Sequence, residues 1–221
     1  MKAPDRKTLW ITTAVCLLPL AFSIWAYPQL PEQVAVHWDA VGQPNGYASK
    51  AMAAFGLPAF LALIHLIVVF ALRYDPRRRN QAPAMQHLSM WLVPVLSCVT
   101  IPVTLLIAMG KSVPIQRLVP ALVGLLFLLV GNYLPKSRQN YTMGIKLPWT
   151  LHDADNWNKT HRMAGRLWMV CGALMMLATG FDFASAPWLV TPIVALLLIM
   201  VLVPCLYSFF LYRRMHGDER D

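Results

Sequence analysis

Polar residues are bunched along this chain, and the apolar runs between them are long. Residues 9–27, 51–72, 88–109 and 188–212 make uncharged runs of 19, 22, 22 and 25 residues. Residues 118–134 add a run of 17 with Asn132 near its end, and 167–181 add one of 15 that 163–166 can extend. A helix of about 20 apolar residues crosses the ~30 Å hydrocarbon core of a bilayer. The pattern therefore predicts six transmembrane helices, the fifth of them the shortest. Lys2, Arg6 and Lys7 before the first run also suit a signal peptide, but the run is longer than a signal core and no A-x-A site ends it. It reads as a retained span. The expected fold is an all-α integral membrane protein with spans 1–3 and a structured outer loop 28–50 in residues 1–110. Residues 111–221 would hold spans 4–6, with a juxtamembrane helix in the loop 131–166.

Composition agrees. The chain is 57% hydrophobic and 13% charged, against about a quarter charged in a soluble domain. This excludes a disordered or fibrous chain and argues against an ordinary soluble enzyme. The net charge of +9 is informative only once it is placed. Lys2, Arg6, Lys7, Arg73, Arg77, Arg78, Arg79, Lys136, Arg138, Lys146, Lys159, Arg162, Arg166, Arg213, Arg214 and Arg220 all fall in alternate loops or termini. The other side has Lys50, Lys111 and Arg117. Basic residues concentrate in cytoplasmic loops, so both termini are expected in the cytoplasm. The cations follow membrane side rather than gathering in one domain. They point to the lipid bilayer as partner and away from direct nucleic-acid binding.

The spans carry little chemistry. Their ionisable side chains are His65 and, at one end, Asp182, a poor basis for an ion relay. Pro19, Pro58, Pro94, Pro102, Pro120, Pro192 and Pro204 can kink helices. Gly124 and Gly131 recur at seven, as do Gly165 and Gly172, which marks close helix packing. Cys16, Cys98, Cys171 and Cys205 lie in spans without a CxxC pair and read as small buried hydrophobes. No metal site, cofactor motif or catalytic motif emerges.

Two polar loops hold the information. In the outer loop, Val34, Val36 and Trp38 alternate with Ala35, His37 and Asp39, a short strand pattern. Gly42, Pro44 and Asn45-Gly46 then read as turns, and Ser49 is placed to cap the second span. Glu32, His37 and Asp39 are too few for a convincing metal site; a folded receptor or packing surface is the better reading. The inner loop is rich in Asn, Trp, Gly and Pro. Thr150 and Asp153 compete to cap a helix running into the fifth span. On that helix Trp157, His161, Gly165 and Trp168 share one face, and Lys159, Arg162 and Arg166 another. Periodicity favours a juxtamembrane helix, with aromatics at the interface and cations on anionic headgroups, over a docking face for a partner.

These loops also carry a resemblance. Gly131-Asn132-Tyr133, Asn140, Gly144-Ile145-Lys146, Pro148-Trp149-Thr150 and Trp157-x-x-Thr160-His161-Arg162 with Gly165 resemble the signature of SdpI-type membrane proteins. Leu30-Pro31, His37-Trp38, Gly42, Gly46-Tyr47 and Ser49-Lys50 resemble DUF1648, a domain of unknown function often found before it. The pattern departs at Lys146, where Arg is usual, and at Leu147, where Thr is common. Lys keeps the charge there but loses the planar fork.

The resemblance implies a non-enzymatic role: immunity to a secreted peptide toxin, toxin sensing, and retention of a small transcriptional repressor at the membrane. On that reading His37, Trp38, Asp39, Gly46, Tyr47 and Lys50 would meet a toxin on the outer face. Asn132, Asn140, Gly144, Lys146, Pro148, Trp149, Trp157, Thr160, His161, Arg162 and Gly165 would form the cytoplasmic signature that holds a two-state loop or the repressor. Two rivals stay open. A small-molecule transporter would use the kinked spans and His65 or Asp182, and a membrane-interface enzyme would use Asn140, His161 and Arg162.

Overall fold

The computed structural model describes residues 6–181, 188 and 190–216; Asp182 lies outside them. The described helices are α1 (Arg6–Leu17), α2 (Pro19–Ala26), α3 (Leu57–Tyr74), α4 (Pro83–Ala108), α5 (Ile115–Tyr133), α6 (Pro148–His152), α7 (Ala154–Ala178) and α8 (Val190–His216). One hairpin, β1 (Gln33–Trp38) with β2 (Pro44–Ser49), interrupts them. Five helical segments are long and apolar enough to cross a membrane: Arg6–Gln29, Met52–Tyr74, Pro83–Ala108, Ile115–Lys136 and Val190–His216. α7 is equally long, but its first half is polar and only its second half continues the apolar pattern. The helices turn large apolar side chains outward. Trp10, Phe70 and Leu177 are 71%, 63% and 71% exposed, a surface that water would not tolerate but acyl chains would. The protein is a multi-pass α-helical membrane protein.

The chain packs as two compact units, residues 6–74 with 86–115 and residues 75–85 with 116–216. In the first unit, Pro19 divides the opening span into α1 and α2. Proline has no N–H for the carbonyl four residues back, so the kink frees acceptors on α1. Helix α4 supplies the donors: the Cys98 thiol reaches the Val15 carbonyl at 3.3 Å, and the Ser97 hydroxyl donates to the Cys16 carbonyl at 2.9 Å. Backbone groups in lipid must be satisfied within the protein, so this pair locks α4 against the kink. His65 Nε2 lies 3.2 Å from Thr12 Oγ1, joining α3 to α1. That contact suits a packing histidine.

The first unit also holds the hairpin, whose strands pair antiparallel from Gln33 opposite Ser49 to Trp38 opposite Pro44. Here the structure corrects the sequence reading. Pro44 and Asn45-Gly46 form the second strand, not turns. The turn lies at 39–43, where the Asp39 carboxylate accepts the Val41 and Gln43 N–H groups at 3.0 and 2.8 Å and Gly42 takes φ 87°. A side-chain oxygen that satisfies two turn amides sets the reversal early, and Pro44 tolerates a strand's first position because no N–H is needed there. Gly46 faces His37 so closely that a Cβ would sit 2.9 Å from the His37 Cβ. The hairpin root, with Leu30 and Val34 buried, packs into a core with Ala26, Ala53, Ala54, Ile101 and Leu105. The Ser49 hydroxyl accepts the Met52 N–H at 3.3 Å as the helix after the hairpin begins.

In the second unit the glycine spacings meet. Gly124 faces Gly172 and Gly131 faces Gly165 across antiparallel α5 and α7. A Cβ on any of the four would lie 2.6–2.8 Å from the opposite glycine's carbonyl oxygen. Bare backbone contact is what the seven-residue spacing permits, and it sets the packing distance of α7. Against α8, Cys171, Met175 and Met200 form the core, and the Trp168 indole donates to the Met200 carbonyl at 2.8 Å.

Candidate functional site

The segment between α5 and α7 has little regular structure, and it is held by side chains. Asn140 is fully buried. Its amide donates to the Arg138 carbonyl at 2.8 Å, and its oxygen accepts the Thr142 and Met143 N–H groups at 3.0 and 2.6 Å. Gly144 follows with φ 109°, and a Cβ there would collide with His161 and the Trp157 ring. Thr150 sits in the short α6, whose first residue is Pro148, a position where a missing N–H costs nothing. The Thr150 hydroxyl accepts the Leu147 N–H at 2.9 Å and approaches the Ile145 carbonyl at 2.8 Å. Asp153, not Thr150, caps α7, accepting the Asp155 and Asn156 N–H groups at 2.8 and 2.9 Å.

Trp157 and His161, one turn apart, are fully buried beneath this loop with their rings stacked at 3.9 Å. They were expected on an interfacial face; instead the loop folds over them. The Trp157 indole donates to the Ser137 carbonyl at 2.8 Å. His161 Nε2 lies 2.9 Å from the Ile145 N–H and must accept it, so the proton is on Nδ1, which donates to the Trp157 carbonyl at 2.7 Å. One neutral tautomer is therefore fixed. Burial pushes the His161 pKa down to about 4, although the bond to Trp157 opposes the shift. A ring committed at both nitrogens is a strut rather than a general base.

A second loop, 75–82, closes over the first. The Asp75 carboxylate is buried and accepts the Arg77 N–H at 2.7 Å, the Tyr141 N–H at 2.9 Å, the Thr142 hydroxyl at 2.7 Å and the Gln81 amide at 3.3 Å. Burial alone would raise its pKa, but these four donors outweigh it and hold it below the ordinary value. Arg77 donates to the Leu151 carbonyl at 3.0 Å and lies over the Tyr141 ring at 5.0 Å. Asn80 reaches the Gln139 carbonyl at 2.7 Å, and Gln139 reaches the Thr150 carbonyl at 2.9 Å. Asp75, Arg77, Asn80 and Gln139 were missed by sequence reasoning. The available signal was a lone acid at a helix end, Asp75-Pro76, ahead of three arginines.

The far side is tied to α8. The Trp149 indole donates to the Ser208 hydroxyl and the Asn156 amide to the Ser208 carbonyl, both at 2.8 Å, and Thr160 bonds Asn156 at 3.1 Å. The signature therefore divides. Asn140, Gly144, Trp149, Trp157, Thr160, His161 and Gly165 build a polar platform, whereas Asn132, Lys146, Pro148 and Arg162 are exposed. Among the described residues, Lys146 reaches only the Thr142 carbonyl, at 3.2 Å.

The hairpin candidates do not converge. Glu32 pairs with Lys50 at 2.8 Å, and Lys50 also lies over the Tyr27 ring. His37 bonds Asn45, while Asp39 is spent on the turn. Among the described residues, no three His, Cys, Asp or Glu side chains are placed to hold a metal. What the hairpin presents outward is His37, Asp39 and Tyr47, with Trp38 and Gly46 partly covered.

Fold and site together define a polytopic membrane protein with a small β-hairpin in one unit and a hydrogen-bonded polar platform in the other. The SdpI/YfhL protein family matches residues 136–208, which contain nearly all of the platform, and DUF1648 matches residues 14–62, which contain the hairpin. The "Immunity protein SdpI" of Bacillus subtilis (strain 168) is 26% identical over 214 residues, covering 97% of this chain and 100% of that protein. No solved structure matches. The chain thus resembles the SdpI family in its second half and a protein named for immunity from end to end, and this similarity supports a non-enzymatic role.

Proposed function

We propose that this protein is an immunity protein of a bacterial cytoplasmic membrane, protecting its cell against a secreted antimicrobial peptide. The observation that carries this is the end-to-end similarity to a protein named for immunity, which includes the hairpin and the platform alike. The topology is six spans with both termini in the cytoplasm. α7 supplies the fifth span through its apolar second half, and the basic residues set the orientation. The hairpin then faces outward and offers His37, Trp38 and Tyr47 to a peptide at the membrane surface. The platform faces the cytoplasm, where exposed Lys146 and Pro148 belong to the surface on which a small repressor would be held. Cells with and without the gene, challenged with a panel of membrane-active peptide toxins, test the reading. Lower survival without the gene, restored by its return, is expected for at least one peptide. Equal survival across the panel would overturn it.

A further inference from the structure

One face of α7 changes chemistry without changing direction. Positions 159, 162, 166, 170, 174 and 177 follow one another at three and four residues, so they lie along one side of the helix. The first three are Lys159, Arg162 and Arg166; the rest are Val170, Leu174 and Leu177, which are 59%, 46% and 71% exposed. Lys159 pairs with Asp155 at 2.6 Å. Arg162 and Arg166 are exposed and make no ion pair or side-chain hydrogen bond among the described residues. Where the two chemistries meet there is an open cleft of about 560 Å³. The three cations rim it, and Leu167, Val170 and, from α8, Tyr207 give it an apolar wall.

The dimensions select an occupant. From Leu167 to Leu177 the helix rises about 15 Å at ~1.5 Å per residue, half of the ~30 Å hydrocarbon core. An acyl chain along this strip would end near the bilayer centre with its headgroup among the cations. A water-soluble anion would leave the apolar wall uncovered, and a protein partner would have to reach below the headgroup plane. We propose that the Lys159–Arg162–Arg166 cleft is a binding site for one anionic phospholipid of the cytoplasmic leaflet, the phosphate between the two arginines and a chain along Leu167, Val170 and Leu174. The site rests on the cytoplasmic placement of the α7 start given above, and not on immunity. It is read on purified protein, so its failure and the failure of toxin protection are separate results.

Native mass spectrometry of the full-length protein in detergent tests it, with equal amounts of phosphatidylglycerol and phosphatidylcholine bearing the same chains. A phosphatidylglycerol adduct is expected to dominate, and glycerol 3-phosphate should fail to displace it. Arg162→Gln with Arg166→Gln should weaken that adduct on the order of 30-fold, from about 1 kcal/mol per cation at a membrane surface. Arg138→Gln should leave it unchanged. Both arginines are exposed, so the double variant keeps the fold, and its elution profile checks this. Independently of any variant, wild-type protein with phosphatidylglycerol carrying a diazirine on one chain should be labelled within 167–177. An unchanged adduct in the double variant, displacement by glycerol 3-phosphate, or labelling confined to other segments would each overturn the site.

Discussion

His161 shows how little a residue's chemical repertoire says before its partners are known. Its spacing from Trp157 was visible in the sequence, but its role was not, because the Ile145 N–H that fixes its tautomer comes from sixteen residues upstream. A buried histidine with a pKa of about 4, against 6.5 when free, carries a definite pH dependence. Between these values the unfolded chain binds a proton that the folded chain refuses. The stabilisation is therefore complete above about 6.5 and is lost as pH falls towards 4, by on the order of 3 kcal/mol. Asp75 acts in the same direction, since its folded pKa is depressed, but its window lies below its ordinary value of 3.8. Thermal unfolding in detergent should thus shift downward from pH 7.5 to pH 4.5. His161→Gln should flatten that slope while lowering stability at neutral pH. A variant with the wild-type slope would show that His161 is not the group that titrates.

At the scale of elements, two devices hold the platform, and only one was legible. The seven-residue glycine spacings announced close packing, and the structure adds the pairing, Gly124 with Gly172 and Gly131 with Gly165. Gly165→Ala would press a methyl against the Gly131 carbonyl and Pro135, so a loss of several kcal/mol is expected from overpacking against backbone. Gly180→Ala meets its nearest neighbour at 3.4 Å and should cost under ~1 kcal/mol. Comparing the melting temperatures of the two variants separates packing from any general intolerance of side chains in α7 and its end. The clasp from loop 75–82 was not legible, because a single carboxylate among arginines reads as ordinary loop charge until its acceptors are seen filled. Asp75→Ala strips the Tyr141 N–H of its acceptor and should destabilise the platform by about 2–4 kcal/mol. Hydrogen exchange should rise across 139–146 and stay unchanged in the hairpin. The hairpin was half legible: alternation marked β1, but Pro44 and Asn45-Gly46 pointed to turns because the chain reversal had already been made by Asp39.

For the whole molecule, long apolar runs read through to a multi-pass helical protein, because bilayer thickness imposes a length that sequence displays directly, and five helical segments meet that length. The weakest run was also the one whose helix begins in polar territory: α7 starts beneath the platform and turns apolar only from Leu167. The site resisted sequence reasoning for a related reason. Most cytoplasmic-signature residues face inward and build a surface, leaving Asn132, Lys146, Pro148 and Arg162 exposed, while the hairpin exposes His37, Asp39 and Tyr47. We propose that the exposed hairpin confers protection from a membrane-active peptide. The most direct test is survival under the toxin that distinguishes cells with and without the gene, measured for Tyr47→Ala combined with His37→Ala at matched amounts of protein in the membrane. Both side chains are exposed and neither belongs to the core, so membrane insertion as in the wild type and a fall in survival of at least tenfold are expected. Survival equal to the wild type's would contradict it.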